Sequence, residues 1–183
     1  MTSSPSFVLL DRDGVLNVDR AHSVRERSEF ELIEGAVEAV KTINDKGYRV
    51  LVLTNQACVG RGDLDPDELD VIHRILHQSV RDVGGEIEDI YVCPHVDADE
   101  CSCRKPSPGL LHQAQQDYGF DFSETFFVGD DGRDMQAARN ARAQPAVVRT
   151  GKGSEWDPPQ TVPVFDSLLD FARWLTPVTS DDQ

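Results

Sequence analysis

Basic residues are scarce in this chain of 183 residues, and so are cysteine, methionine and tryptophan. Lysine and arginine together number 18, against 33 aspartates and glutamates, which gives a formal net charge of −15. A field of that sign repels nucleic-acid backbones and other anions. We therefore expect no nucleic-acid partner, and any site for an anionic ligand needs a local cation or a metal.

Long apolar runs are also missing from the sequence. No stretch approaches the ~20 apolar residues of a membrane-spanning helix. The N-terminal run MTSSPSFVLL has no basic residue before its apolar part and no small-residue cleavage site. We expect no membrane partner and a cytoplasmic location, where thiols stay reduced. The length favours one domain over residues 1–183, with a flexible tail at 176–183.

Short apolar runs do occur, and they alternate with helical patterns. Asp65, Pro66 and Glu68 have the spacing of a helix N-cap, first turn and capping box. Further helices are predicted through Val37–Ile43 and over Ser107–Tyr118, Asp134–Ala143 and Ser167–Leu175. The predicted strands are Phe7–Leu10, Tyr48–Thr54, Ile87–Val92, Thr125–Asp130 and Ala146–Val148.

This alternation predicts an α/β, Rossmann-like fold. We expect a parallel sheet of about five main strands with helices on both faces, because the strands are continuously apolar. About 25 residues separate the first strand from the first helix, which is too few for a separate cap domain. In such sheets, ligands bind outside the carboxyl ends of the strands.

Polar side chains follow four of the predicted strands. They lie in the segments DRDGVLN (from Asp11), TNQACVG (from Thr54), CPHVDADECSCRKP (from Cys93) and GDDGRD (from Gly129). Taken singly, each motif also fits a turn, a helix cap or a solvated surface charge. Their joint occurrence in this order indicates a site at the carboxyl edge of the sheet.

The residue types at this edge favour phosphoryl chemistry. Carboxylates that converge need a cation, and oxygen ligands predict Mg²⁺. A carboxylate beside the metal can attack phosphorus and form an aspartyl-phosphate. Lys105 and Thr54 could hold the phosphoryl oxygens, and Asp13, two residues after Asp11, could exchange a proton with the leaving oxygen or with water.

Three of the four cysteines lie in one short stretch after the third strand. Cys93, His95, Cys101 and Cys103 have the spacing C-x-H-x5-C-x-C. Three thiolates and one imidazole make a closed tetrahedral set, which is typical of structural Zn²⁺. The alternative is a loop of reduced, unligated cysteines. A disulfide is disfavoured by the compartment and by the closeness of the last two cysteines.

The segments DRDGVLN, TNQ, CRKP and VGDDGRDMQAA together resemble the haloacid-dehalogenase superfamily of phosphohydrolases, in the order that this family uses. The resemblance implies that Asp11 is the nucleophile and Asp13 the general acid and base. It also implies the following ligands and contacts: Mg²⁺ on Asp11, Asp13 (backbone carbonyl) and Asp130; Zn²⁺ on Cys93, His95, Cys101 and Cys103; phosphoryl stabilisation by Thr54 and Lys105; and substrate binding by Asp19, Arg20, Ala21, His22, Asn55, Gln56, Ala57 and Arg104.

The cysteine stretch with CRKPSPG, and the later VRTGKG, are similar to one branch of that superfamily. The branch removes the 7-phosphate of D-glycero-D-manno-heptose 1,7-bisphosphate, and the histidinol-phosphate phosphatases are a close relative. A departure is Asp131, where the branch commonly has lysine. A second phosphate needs a cation, and the candidates are Arg20, Arg25, Arg27, Arg61 and Lys152.

The resemblance implies a phosphatase with a small phosphorylated sugar as its substrate, and the lack of a long exposed apolar stripe favours a monomer. Two other interpretations stay open at this point. One is a histidinol-phosphate phosphatase. The other is an inactive, metal-stabilised binding protein.

Overall fold

A computed structural model describes residues 5–179 of the chain. The strands are β1 (Phe7–Leu10), β2 (Arg49–Asn55), β3 (Asp89–Cys93), β4 (Phe126–Gly129), β5 (Gln144–Val148) and β6 (Val164–Phe165). The α-helices are α1 (Ala36–Asp45), α2 (Ala57–Gly60), α3 (Pro66–Asp82), α4 (Gly109–Tyr118), α5 (Gly132–Ala141) and α6 (Leu168–Trp174). The described strands form one parallel sheet in the order β3-β2-β1-β4-β5-β6.

The predicted α/β fold is confirmed, with one correction to the strand count. A sixth strand, β6, was missed because two residues are too short to show a periodic pattern. Helix α5 begins at Gly132 rather than at the predicted Asp134, because Asp131 is its N-cap. The predicted cap at Asp65 is confirmed, since its side chain accepts a hydrogen bond from the backbone N–H of Asp67.

Successive residues of β1 point to opposite faces of the sheet, as the period of a strand requires. Val8 and Leu10 pack in a cluster that contains buried residues of α1, α3 and α6. Phe7 and Leu9 pack in a second cluster that contains buried residues of α4 and α5. Helices therefore cover both faces of the sheet, and the strands are continuously apolar because they have no solvent face.

The strand order places a topological switch point between β1 and β4. The chain runs outwards from β1 through β2 to β3, and then returns to β4 on the other side of β1. Crossover connections on either side of such a point leave a crevice at the carboxyl ends of the two strands. Asp11 and Asp130 directly follow the two strands that form this crevice.

Three other sequence-based expectations concern the membrane, the domain count and the C-terminal tail. None of the helices in residues 5–179 is long and apolar enough to cross a membrane. The single-domain assignment of residues 1–183 stays a prediction. Of the predicted flexible tail at 176–183, residues 180–183 lie outside the described residues.

Candidate active site

Three carboxylates meet at the switch point. Asp11, Asp130 and Asp134 each place an oxygen within 4.8 Å of the others. Asp11 is fixed by its backbone, whose N–H donates to the carbonyl of Val128 at 2.9 Å. All three residues are buried. The sequence placed Asp134 at this edge but gave it no role, and its position one helical turn into α5 directs it to the cluster.

One buried lysine pairs with this cluster. The Lys105 Nζ lies 2.7 Å from Asp11 Oδ1 and 2.7 Å from Asp134 Oδ1, and it also donates to the Leu53 carbonyl at 2.9 Å. Only 2% of Lys105 is exposed. Burial opposes the charged form, but the two carboxylates outweigh it and raise the pKa of Lys105. The ammonium is therefore charged and held against Asp11.

One lysine does not neutralise three acids. Burial, followed by the charges of Asp11 and Asp134, raises the pKa of Asp130 to about 8. Burial and the charge of Asp134 raise the pKa of Asp11 to about 7 against the opposing effect of Lys105. Such shifts mean that the nearby positive charge does not offset the burial of these acids and their mutual repulsion. The oxygen-only donor set and this deficit both fit a hard divalent cation such as Mg²⁺.

Asp130 is held by a segment that follows β5. The backbone N–H of Lys152 donates to Asp130 Oδ2 at 2.7 Å, and the indole N–H of Trp156 donates to the Asp130 carbonyl at 3.0 Å. Gly151 packs so closely that a Cβ there would lie 2.3 Å from Asp130 Oδ2. The glycine-rich segment GKG (151–153) therefore holds the candidate metal ligand Asp130 in its orientation.

Asp13 lines the same cavity, but its carboxylate has a separate set of partners. It accepts two hydrogen bonds from Arg12 at 2.9 and 3.0 Å, one from Asn17 at 2.8 Å and one from Gln56 at 2.7 Å. Burial alone would raise the pKa of Asp13, but the Arg12 cation and these donors lower it. The side chain is therefore ionised and held in a fixed orientation.

Arg12, a partner of Asp13, contacts His73, and the sequence did not reveal this pairing. Arg12 is fully buried, and its Nη1 lies 3.2 Å from His73 Nε2. Burial and the Arg12 cation lower the pKa of His73 to about 3, so the imidazole is neutral and can accept from the guanidinium. His73 on helix α3 carries no sequence signal for this contact, because the pairing spans 61 residues.

The predicted zinc ligands converge at the end of β3. The Cys103 Sγ lies 3.2 Å from Cys93 Sγ, 3.4 Å from Cys101 Sγ and 3.2 Å from His95 Nδ1, and the Cys93–Cys101 separation is 3.7 Å. Zn–S bonds of about 2.3 Å in tetrahedral geometry place sulfurs about 3.8 Å apart. The four donor atoms lie within 4.8 Å of one another, so these residues could hold a metal ion.

This cluster is joined to Lys105 by the chain and by Asn55. Arg104 and Lys105 directly follow Cys103. The Asn55 amide accepts from the Lys105 N–H and donates to the Lys105 carbonyl, both at 3.1 Å. Arg104 pairs with Asp97, and its buried Nη1 has no hydrogen-bond partner among the described residues.

The predicted substrate-binding residues divide into two groups. Asp19, Asn55, Ala57 and Arg104 line the cavity that contains Asp11 and Lys105. Arg20, Ala21 and His22 lie outside this lining: Arg20 pairs with Glu31, His22 pairs with Glu29, and Ala21 is exposed. Gln56 and Thr54 lie behind the lining, where the Gln56 amide donates to both Asp13 and the Thr54 hydroxyl. A substrate role for each of these residues stays a prediction.

Cations surround the mouth of the cavity. Of the residues proposed for a second phosphate, Arg61 and Lys152 line the cavity, whereas Arg25 pairs with Asp63 and Arg27 with Glu68. Arg133 also lines it, and sequence reasoning missed this residue. The charged members of the lining in residues 5–179 are Asp11, Asp13, Asp19, Asp130, Asp131, Asp134, Arg61, Arg104, Lys105, Arg133 and Lys152.

This fold and acid–lysine cluster define the class of haloacid-dehalogenase-like hydrolases, and a sequence model described as HAD-hydrolase-like matches residues 102–171. Two curated relatives bear the name D-glycero-β-D-manno-heptose-1,7-bisphosphate 7-phosphatase. The *Neisseria meningitidis* protein is 41% identical over 92% of this chain and 94% of its own length. The *Pseudomonas aeruginosa* protein is 40% identical over 94% and 98%. This chain belongs to the family of D-glycero-β-D-manno-heptose-1,7-bisphosphate 7-phosphatases.

Solved structures agree with that membership. The D,D-heptose 1,7-bisphosphate phosphatase of *B. bronchiseptica*, complexed with magnesium and phosphate, matches with a TM-score of 0.88 and 33% identity over 92% of this chain and 97% of its own. The enzyme from *Burkholderia thailandensis* has a TM-score of 0.72 and 32% identity, over 92% and 96%. The predicted superfamily and the predicted phosphatase class are confirmed.

Proposed function

We propose that this chain hydrolyses the 7-phosphate of D-glycero-β-D-manno-heptose 1,7-bisphosphate. The observation that carries the proposal is the Lys105 ammonium, 2.7 Å from Asp11 Oδ1 within a cluster of three buried carboxylates. The names and high coverage of the relatives support the choice of sugar. The substrate is a small phosphorylated sugar, and neither a nucleic acid nor a second protomer is required.

Asp11 is the nucleophile in this mechanism. Its free carboxylate oxygen attacks the phosphorus of the 7-phosphate, a P–O bond forms, and the bond to the sugar oxygen breaks. Lys105 stabilises the negative charge of the transferring oxygens. Mg²⁺, held by Asp11, Asp130 and the backbone carbonyl of Asp13, would neutralise phosphoryl charge when bound. Water then hydrolyses the aspartyl-phosphate and restores the Asp11 carboxylate.

Asp13 carries the proton between the two steps. Its partners favour the charged form, so the proton that it gives to the leaving sugar oxygen is first taken from solvent or from the substrate phosphate. The carboxylate then accepts a proton from the attacking water. Arg12, Asn17 and Gln56 keep its position through both transfers, since each contributes at least one hydrogen bond.

The test is phosphate release with Mg²⁺ from both anomers of the heptose bisphosphate and from histidinol phosphate. We expect the β anomer to be the best substrate. Asp11→Asn should lower turnover on the order of 10⁴-fold or more, whereas Asp70→Asn, an exposed carboxylate on α3, should not change it. A preference for histidinol phosphate would identify this chain as a histidinol-phosphate phosphatase instead. Equal inactivity of wild type and Asp11→Asn on all three compounds would identify a binding protein instead.

We also propose that Cys93, His95, Cys101 and Cys103 hold structural Zn²⁺. Their separations support a closed tetrahedral site, which leaves no position for a reacting group. Binding energy there becomes local folding energy and fixes the adjacent Lys105. We expect about one zinc per chain by elemental analysis, and a loss of turnover when a chelator removes it and Mg²⁺ is restored. Full turnover of zinc-free protein would contradict this role.

A further inference from the structure

Arg133 is a cation of the cavity to which neither the sequence nor the proposed mechanism assigns a task. We infer that Arg133, oriented by Asp131, binds the phosphate of the substrate that is not cleaved. The inference rests on the proposed function, because it takes a sugar bisphosphate as the substrate.

The position of Arg133 is suited to the remote end of a bisphosphate. It is the second residue of α5, three residues after Asp130, and its side chain lines the cavity that contains Asp11 and Lys105. The Lys105 side chain is 2% exposed and that of Asp11 12%, so the cleaved phosphate lies deep in the cavity. The Arg133 side chain is 44% exposed, which places it at the mouth.

Asp131 fixes the direction of the guanidinium. Its Oδ2 accepts from Arg133 Nη2 at 2.8 Å and from Nε at 3.3 Å, and its Oδ1 accepts from the Arg133 backbone N–H at 3.0 Å. Asp131 is itself fixed as the N-cap of α5, in a capping box with Asp134. The acid is thus part of the helix start, and the arginine attached to it is preorganised.

This pairing leaves donors of the guanidinium for a ligand. A guanidinium has five N–H donors, and Asp131 uses one edge formed by Nε and Nη2. Nη1 has no hydrogen-bond partner among residues 5–179. The free edge matches the planar geometry in which arginine binds two oxygens of one phosphate.

Arg133 and Arg104 both line the cavity that contains Asp11 and Lys105. The charges of Asp11 and Asp134 act on Arg133, and the charge of Arg133 in turn acts on Asp97, the partner of Arg104. A bisphosphate with one end at Lys105 therefore lies in a cavity that both of these arginines line. In this family, lysine is common at the position of Asp131. The Arg133 cation offsets the negative charge that Asp131 introduces there.

The test compares the heptose bisphosphate with the heptose 7-phosphate, which has the same cleaved group but no second phosphate. We expect Arg133→Ala to lower kcat/KM for the bisphosphate about 10- to 100-fold through KM, and to change it less than about threefold for the monophosphate. Arg133→Lys should restore part of the loss. Arg139→Ala, on the same helix but outside the cavity lining, is the matched control and should leave both values unchanged.

The substrates themselves separate the possible failures. Turnover of the monophosphate by Arg133→Ala reports that the variant is folded. An equal loss on both substrates, or no loss on either, overturns the role of Arg133 while the proposed function stands. If the wild type cleaves neither compound, the proposed function itself is wrong and this inference falls with it.

Discussion

Gly151→Ala should weaken Mg²⁺ binding by displacing Asp130, although Gly151 carries no side chain of its own. Its Cβ would lie 2.3 Å from Asp130 Oδ2 and 2.7 Å from the Cα of Gly14. The carboxylate oxygen would have to move by roughly 1 Å to regain van der Waals contact. The hydrogen bond from the Lys152 N–H to the same oxygen, now 2.7 Å, would be lost with that movement.

The size of the effect follows from the rigidity of magnesium ligation. Mg²⁺ requires near-octahedral oxygens at about 2.0–2.1 Å, so a shift of roughly 1 Å removes a ligand. Disturbing the partners of a ligand usually weakens metal binding by about 10- to 100-fold. Gly151 also has φ +61°, where alanine costs roughly 1–2 kcal/mol of stability irrespective of any contact.

Gly119→Ala separates these two costs. Gly119 has φ +70° and no atom within 4 Å of an added Cβ, so it has the backbone cost without the clash. We expect Mg²⁺ titration by calorimetry to give wild-type affinity for Gly119→Ala and affinity at least tenfold weaker for Gly151→Ala. In urea without metal, Gly151→Ala should lose more stability than Gly119→Ala, because only Gly151→Ala adds the clash to the backbone cost. If the two variants bind Mg²⁺ equally well, Asp130 is not held in place by this contact.

Two further predictions concern buried ionisable groups. The pKa of His73 is about 3 in the folded chain and about 6.5 when unfolded, so the unfolded state takes up the proton first and stability falls with pH below 6.5. Between pH 6.5 and 4 the proton uptake lowers the free energy of unfolding by roughly 3 kcal/mol. In urea denaturation, the loss of unfolding free energy over this pH range should be smaller by that amount in His73→Gln than in the wild type. Equal losses in the two proteins would contradict the low pKa of His73. Lys105→Met leaves Asp11 and Asp134 without their cation, which should lower the free energy of unfolding by about 3–5 kcal/mol in EDTA. The loss should be smaller when Mg²⁺ is present. An unchanged urea midpoint in EDTA would contradict the pairing.

The strand-end residues were predictable because the apolar runs are continuous and because ligands in such sheets bind outside the carboxyl ends of the strands. Phe7–Leu10 and Phe126–Gly129 are apolar except for one glycine, so the sequence itself shows where Asp11 and Asp130 begin. The zinc ligands were predictable for a different reason, since all four lie within eleven residues. Local spacing is sufficient when the chain has no room to separate the ligands.

Contacts between distant segments could not be predicted in the same way. Arg12 reaches His73 on α3, and Gly151 packs on both Asp130 and Gly14. Neither pairing has a periodic or compositional signature, because each depends on the angle at which a helix or loop crosses the sheet. Arg133 was missed because its direction is set by Asp131, the N-cap of α5. The sequence-based helix began two residues too late, at Asp134, and therefore did not show this cap.

The charge of the cavity suggests that metal and substrate bind in order. With every group ionised, six carboxylates and five cations in the part of the chain that the structure describes give the lining a formal charge of −1, and the raised pKa values of Asp130 and Asp11 mean that protonation reduces this negative charge when no metal is bound. A bound Mg²⁺ would bring the fully ionised lining to +1, so the cavity would attract phosphate more strongly with the metal than without it. We expect calorimetry to detect inorganic phosphate binding to the Mg²⁺-loaded protein and at least tenfold weaker binding in EDTA. Equal phosphate affinity in both conditions would show that the five cations are sufficient on their own, and that the acids serve only to position them.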